Sequence, residues 1–130
     1  MTCFWNAVLH GIPKELYEDQ IHHNPMSLVM YLKARNRKTD EIKICGQLLN
    51  EQRKEENVEA IRCFDQNSIY HGYFCSTEDP FLFLIAEVFQ ISIYHTFLGK
   101  MFDYVHPHPK LKLFIHSNHG HMSFGHVEKL

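Results

Sequence analysis

The stretch of residues 81–89 is apolar on nearly every side, and Glu87 carries its only charge. A helix without a polar face has to be covered by other elements, because none of its sides suits contact with water. The sequence therefore predicts a buried helix from Phe81 to Phe89. The side chains that we expect to be almost fully buried are Phe81, Leu84, Ile85 and Val88.

The chain after this helix changes character. Residues 91–97, 111–116 and 122–127 alternate and are rich in residues that favour strands. Residues 106–109 (His-Pro-His-Pro) predict a stiff, extended loop between two of these strands.

Helical spacing dominates the first part of the chain. A short apolar helix begins at Cys3 and is stopped by Gly11 and Pro13. A second helix is predicted from an Asn24 cap with Pro25 at its first position, and it continues to Asn36.

Two further helices are predicted between residues 39 and 67. Thr39 or Asp40 caps one of them, whose apolar face consists of Ile42, Cys45, Leu48 and Leu49. A weaker helix carries Val58, Ile61 and Phe64. Residues 51–56 are charged and predict a solvated helix end or turn. Helices first and strands last favour an α+β fold, a single domain of residues 1–130 with N-terminal helices packed on a small C-terminal β-sheet.

Composition narrows the class of protein further. Of the 130 residues, 45% are hydrophobic, which suffices for one sizeable core. The longest apolar run, residues 81–86, is too short to span a bilayer, and the N-terminus has no basic-then-apolar signal region, so we expect a cytoplasmic protein without membrane contact. A net charge of −2 gives no basic field for nucleic acid. The basic residues 33–38 are interpreted as the end of a helix, with contact to a partner or RNA as the alternative.

The four cysteines and eleven histidines do not form a recognisable metal motif. The cysteines lack CxxC spacing, so neither disulfides nor a zinc site is indicated and a reducing compartment fits. The last quarter of the chain has six histidines but no acidic residue between Asp103 and Glu128, and no HExxH is present, which predicts no metal and no cofactor. We expect Cys45, Cys63 and Cys75 to lie in apolar or helical surroundings and to react slowly.

Cys3 and His121 are the candidate nucleophile and base. A helix N-terminus or an imidazolium can hold a cysteine as the reactive thiolate, and Cys3 is placed for both. Along the last strand, His121 and Ser123 share a face while Met122 and Phe124 point into the core. This pattern favours His121 as the base, ahead of His126 and then His119. The alternative is that Cys3 is only a small hydrophobic residue.

Three blocks of the sequence resemble the ovarian tumour (OTU) family of deubiquitinating cysteine proteases, most of all its compact viral members. Residues 3–8 (Cys-Phe-Trp-Asn-Ala-Val) are similar to the nucleophile motif. Residues 72–74 (Gly-Tyr-Phe) and 79–94 are similar to the glycine-aromatic segment, buried helix and adjoining strand. Residues 120–124 (Gly-His-Met-Ser-Phe) resemble the terminal histidine block. Family members carry an Asp three residues before the nucleophile, whereas only Met1 and Thr2 precede Cys3 here.

The resemblance implies a papain-like OTU fold and a cysteine isopeptidase. Cys3 would attack the terminal carbonyl of ubiquitin or a ubiquitin-like modifier and His121 would transfer the proton, with Asn118 or Ser123 orienting His121. The expected partner is ubiquitin or a ubiquitin-like protein, and the expected state is a monomer in the cytoplasm, the host's if the protein is viral. The alternatives are a catalytically silent OTU-like module that binds ubiquitin or another protein, and a different papain-like hydrolase.

Overall fold

The computed structural model describes residues 3–17, 23–73, 75–118 and 120–130. Within these residues the chain forms α-helices and a six-stranded sheet, which confirms the predicted mixture of α and β structure. The helices are α1 (Cys3–Gly11), α2 (Pro25–Ala34), α3 (Glu51–Cys63) and α4 (Pro80–Phe89). The strands are β1 (Lys43–Ile44), β2 (Gln47–Leu48), β3 (Ser92–Phe97), β4 (Lys100–Val105), β5 (Leu111–Ser117) and β6 (Met122–Lys129). Two short 3-10 helices span Lys14–Tyr17 and Gln66–His71.

The sheet has the strand order β2-β1-β4-β3-β5-β6. Its neighbouring strands are antiparallel except for β3 and β5, which run parallel. Ser117 at the end of β5 therefore pairs with Phe97 at the end of β3 and with Met122 at the start of β6. The end of β3, the end of β5 and the start of β6 therefore lie side by side at one end of the sheet. His121 directly precedes the first residue of β6.

The predicted central helix is present as α4. Asp79 caps it by accepting the N–H groups of Phe81 and Leu82, and Gln90 ends it in the left-handed conformation. Phe81, Leu84 and Ile85 are buried as predicted. Val88 is only partly buried, which corrects the expectation for that residue.

Glu87, next to Val88, is buried, because hydrogen-bond donors of the protein contact its carboxylate. Arg37 Nε donates to Glu87 Oε2 at 2.7 Å, and the backbone N–H of Glu41 donates to Oε1 at 3.2 Å. A charged group can leave water when such donors replace its hydration. The charge pattern along the helix did not reveal that this one acidic side chain would face the protein.

The basic residues 33–38 do lie at a helix end, since α2 ends at Ala34. Their cations contact groups of the same chain. Lys33 donates to the carbonyl of Phe64, and the guanidinium of Arg35 lies 3.5 Å from the centre of the Tyr31 ring. Lys38 donates to Glu51 at 3.1 Å. These contacts favour a structural role for the basic cluster.

The helix predicted from Thr39 or Asp40 to Leu49 is wrong, because this segment forms the hairpin β1–β2. Cys45 and Gly46 make its turn with φ of +48° and +86°. Positive φ values at two successive turn residues are what a tight hairpin requires, and glycine accommodates them without strain. Ile42 and Ile44 are buried on alternate positions, which is the period of a strand.

The following helix begins earlier than predicted. Asn50 accepts the N–H of Arg53 and caps α3 at Glu51, so the charged residues 51–56 form its first turns and not a separate turn. The prediction of a purely C-terminal sheet is also wrong, since β1 and β2 come from the first half of the chain. The sequence analysis did not predict β4, which lies at the centre of the sheet between β1 and β3.

Helix α1 packs against β5 and β6 and carries Cys3 as its first residue. Gly11 at its other end allows this close approach, because a Cβ at that position would lie 2.1 Å from a methyl group of Leu113. In the described part of the chain, none of the helices combines the length and the apolar character that crossing a membrane requires.

We expect Leu84→Ala to lower the free energy of unfolding by about 2–5 kcal/mol, because it removes a fully buried side chain and leaves a cavity. Val88→Ala on the same helix is the matched control and should cost clearly less, since Val88 is partly exposed. Denaturant unfolding monitored by circular dichroism measures both values. Equal losses for the two variants would contradict the described packing of α4.

Candidate active site

The structure brings the two ends of the chain together at one point. Cys3 Sγ lies 3.3 Å from His121 Nδ1, although the two residues are 118 positions apart in sequence. This distance is within hydrogen-bond reach for a sulfur atom, and it matches the predicted geometry of a nucleophile and its base. The thiol is partly buried and the imidazole is exposed, so both can be reached from solvent.

Aromatic packing fixes the start of α1 and with it the sulfur atom. Phe4 and Trp5 are almost fully buried. The ring centre of Phe4 lies 4.6 Å from that of Tyr73, and the ring centre of Trp5 lies 4.9 Å from that of Phe81. Contacts of this kind add to the free energy gained from burial alone. Cys3 is therefore attached to a helix whose first turn cannot rotate freely.

Asn118 shapes the turn that carries His121. Its side-chain oxygen accepts the backbone N–H groups of Gly120 and His121 at 3.2 Å and 3.1 Å, and its own N–H donates to the carbonyl of His121 at 2.9 Å. Both side-chain contacts are N–H donors, which identifies the atom facing them as the oxygen and not the amide nitrogen. Asn118 thus holds the main chain of His121. Its suggested role in orienting the imidazole, as an alternative to Ser123, stays a prediction.

Ser123 is the second residue of β6. It pairs with His116 of β5 and is exposed. Among the described residues, no hydrogen bond joins it to His121. Its suggested role in orienting the imidazole stays a prediction. Met122 and Phe124 point towards the core as expected.

His126, the second candidate base, makes its contacts away from the thiol. The ring of His126 stacks on Phe114 with centres 4.2 Å apart, and its Nε2 lies 3.2 Å from Glu128. His119 lies outside the described residues. In the described ranges, no group of three His, Cys, Asp or Glu side chains is arranged to hold a metal ion.

A cavity of about 330 Å³ opens beside the Cys3–His121 pair. Apolar and aromatic side chains form much of its wall, and Asn118 and Ser117 add polar groups. Its apolar lining residues are Phe4, Tyr73, Phe97 and Met122. A cavity of this volume with a largely apolar lining and a few polar groups is typical of a ligand-binding site.

A buried polar network supports the wall that carries Tyr73. The Tyr73 hydroxyl donates to Asp79 Oδ2 at 2.7 Å, and the N–H of Ser76 donates to the same oxygen at 3.2 Å. The N–H of Asp79 donates in turn to the Tyr104 hydroxyl at 2.9 Å. Burial raises the pKa of Asp79, although its hydrogen bonds act against that shift. Tyr73 is therefore held by the same carboxylate that caps α4.

Two of the three remaining cysteines are more exposed than expected. Cys45 and Cys63 are exposed, because Cys45 lies in the hairpin turn and Cys63 is the last residue of α3. Cys75 lines the same cavity as Cys3, and burial raises the pKa of its thiol. Only for Cys75 is the predicted slow reaction supported by its surroundings.

Sequence analysis missed a second polar pair next to the site. His95 Nε2 lies 2.5 Å from Ser117 Oγ, and His95 is fully buried on β3. Burial lowers the pKa of His95 to about 4, with His116 contributing in the same direction. The strand pattern contained the signal, because Ile93, His95 and Phe97 share the core-facing side of β3.

Comparison of the chain with protein-family models, with curated proteins and with solved structures finds no match. The function of the site therefore has to be argued from its own geometry and from the sequence resemblance.

We expect the reactivity of Cys3 to depend on His121. In His121→Ala, labelling of Cys3 with iodoacetamide should slow by about tenfold or more, because the nearby proton acceptor is gone. Cys45 and Cys63 should label at unchanged rates, and Cys75 should lag in both proteins. Peptide mass mapping over a time course measures each cysteine separately. An unchanged Cys3 rate would show that the pair is not activated.

The low pKa of His95 predicts a pH dependence of stability. Between pH 6.5 and pH 4 the unfolded chain binds a proton at His95 that the folded chain does not bind. The free energy of unfolding therefore falls as the pH is lowered from 6.5 to 4. Each pH unit in that window corresponds to at most about 1.4 kcal/mol. In His95→Gln this pH dependence of the free energy of unfolding should be absent. Denaturant titrations of both proteins at several pH values test it, and parallel pH profiles would contradict it.

Proposed function

We propose that this chain is a cysteine isopeptidase of the OTU type that removes ubiquitin or a ubiquitin-like modifier from its substrates. The observation that carries the proposal is the 3.3 Å separation of Cys3 Sγ and His121 Nδ1 at the mouth of a cavity. These are the two residues that the OTU-like motifs assign to nucleophile and base. A reactive free thiol is suited to a reducing compartment such as the cytoplasm.

The proposed reaction uses the pair in two stages. His121 Nδ1 accepts the thiol proton while Cys3 Sγ forms a bond to the carbonyl carbon of the modifier's terminal residue. The tetrahedral intermediate then expels the lysine amine, which takes its proton from the imidazolium. In the second stage His121 removes a proton from water, the resulting hydroxide attacks the thioester, and the free modifier and the thiol are released.

The aromatic wall of the cavity favours a ligand with small terminal residues. Phe4 and Tyr73 belong to the buried aromatic cluster, so the wall that they form is rigid. Gly72 next to them has φ of +96°, a backbone conformation that glycine adopts without strain. A glycine-rich, extended C-terminus would fit beside the sulfur atom, whereas a bulky side chain would meet these rings.

The proposal predicts a covalent adduct with an activity-based probe. Ubiquitin, and separately ubiquitin-like modifiers, carrying a C-terminal propargyl amide should each be offered to the protein. An adduct should form and be lost in Cys3→Ala, because the alkyne captures only a thiolate positioned beside the modifier's tail. Intact mass spectrometry measures the adduct.

Cys75→Ala is the matched control, since Cys75 lines the same cavity but has a raised pKa and should not be the labelled residue. Binding of ubiquitin without an adduct would instead support a catalytically silent module. If no modifier binds or forms an adduct, the result would contradict both the isopeptidase and a silent module that binds these modifiers.

A further inference from the structure

His95 is an unusual residue for the interior of this sheet. It is fully buried on β3, its Nε2 contacts Ser117 Oγ at 2.5 Å, and its Nδ1 is buried without a hydrogen-bond partner among the described residues. An orphaned buried polar atom is rare in proteins and requires an explanation.

The protonation of His95 follows from these contacts. A neutral imidazole carries one N–H and one lone pair, and burial keeps His95 neutral near pH 7. A buried N–H without an acceptor is the more costly of the two possible orphans. The proton therefore belongs on Nε2, which donates to Ser117 Oγ, and the orphan at Nδ1 is a lone pair. Because the Ser117 oxygen accepts this bond, its own O–H remains free to donate to another group.

Ser117 lies at the candidate active site. It is the last residue of β5 and lines the cavity together with Cys3 and His121. Its backbone is fixed on both sides by pairing with Phe97 and Met122. Ser117 is thus a hydroxyl-bearing residue at a rigid strand end, in the wall of the cavity that Cys3 also lines.

We propose that the Ser117 hydroxyl, held by His95, donates a hydrogen bond to the carbonyl oxygen of the acyl group that Cys3 attacks. As the S–C bond forms, the π electron pair of the carbonyl moves to that oxygen, and the donor stabilises the resulting oxyanion until the leaving group departs. Ser117 is a catalytic residue in this scheme and His95 a positioning residue. The inference rests on the proposed role of Cys3 as nucleophile, but not on ubiquitin as the substrate.

Two reagents separate this role from a general effect on the thiol. p-Nitrophenyl acetate acylates a thiol through an oxyanion and releases p-nitrophenolate, whereas iodoacetamide alkylates it by displacing iodide without forming an oxyanion. In Ser117→Ala the acylation rate of Cys3 should fall by about 10²-fold, the typical effect of removing one oxyanion donor, while its alkylation rate stays unchanged. Stopped-flow absorbance measures acylation against a Cys3→Ala background, and peptide mass mapping measures alkylation.

Four further variants make the test more specific. Ser117→Thr keeps a hydroxyl and should restore much of the acylation rate lost in Ser117→Ala. His95→Gln keeps an N–H donor and should acylate faster than His95→Leu. Thr96→Ala removes a hydroxyl from the neighbouring position of β3 and is the control. Its acylation rate should match that of the unmodified chain.

The outcomes distinguish this inference from the proposed function. Equal losses of acylation and alkylation in Ser117→Ala, or no loss of either, would overturn the donor role. Selective loss of acylation supports it, even if no modifier probe forms an adduct and the isopeptidase proposal fails. A Cys3 adduct with a modifier probe, together with unchanged acylation in Ser117→Ala, would leave the isopeptidase standing without this donor.

Discussion

The candidate site depends on the packing of α1 against the aromatic cluster that surrounds α4. Trp5 contacts both Phe81 of α4 and Tyr73 of the cavity wall. One side chain thus connects α1, which carries Cys3, to the core and to the cavity. The same cluster includes Phe64, which follows α3. Because these rings are wholly or partly buried and pack against one another, we expect a change in any of them to shift the sulfur atom relative to His121.

Hydrogen bonds also hold the residues of the candidate site in place. Asp79 caps α4 and accepts the hydroxyl of Tyr73, and Asn118 closes the turn before His121. Neither contact joins Cys3 to His121 directly. Asn118 fixes the backbone of His121, and Asp79 fixes the Tyr73 ring, which packs against Phe4 next to Cys3. The geometry of the pair therefore arises from two separate supports, one on each side of the cavity.

The sequence predicted those parts of the fold whose pattern is long and regular. Helix α4 was predicted from its long run of apolar residues, and the strand that carries Ile93 was predicted from the alternation of its residues. The hairpin around Cys45 was missed because two-residue strands hold too little pattern, and four apolar residues matched a helix by chance. The Cys3–His121 pair was predicted from motifs. The His95–Ser117 contact was not, since it depends on a strand register that only the folded sheet defines.

The separation of Cys3 and His121 by 118 positions has a consequence for how the chain acquires its chemistry. Contacts between distant positions form late in folding, because closing a long loop costs entropy before the contact contributes to stability. His121 immediately precedes β6, an edge strand held by β5 and covered by α1. A chain in which β6 has not yet docked carries a thiol without its partner. The contact between Cys3 and His121 is thus formed only once β6 has docked on β5 and α1.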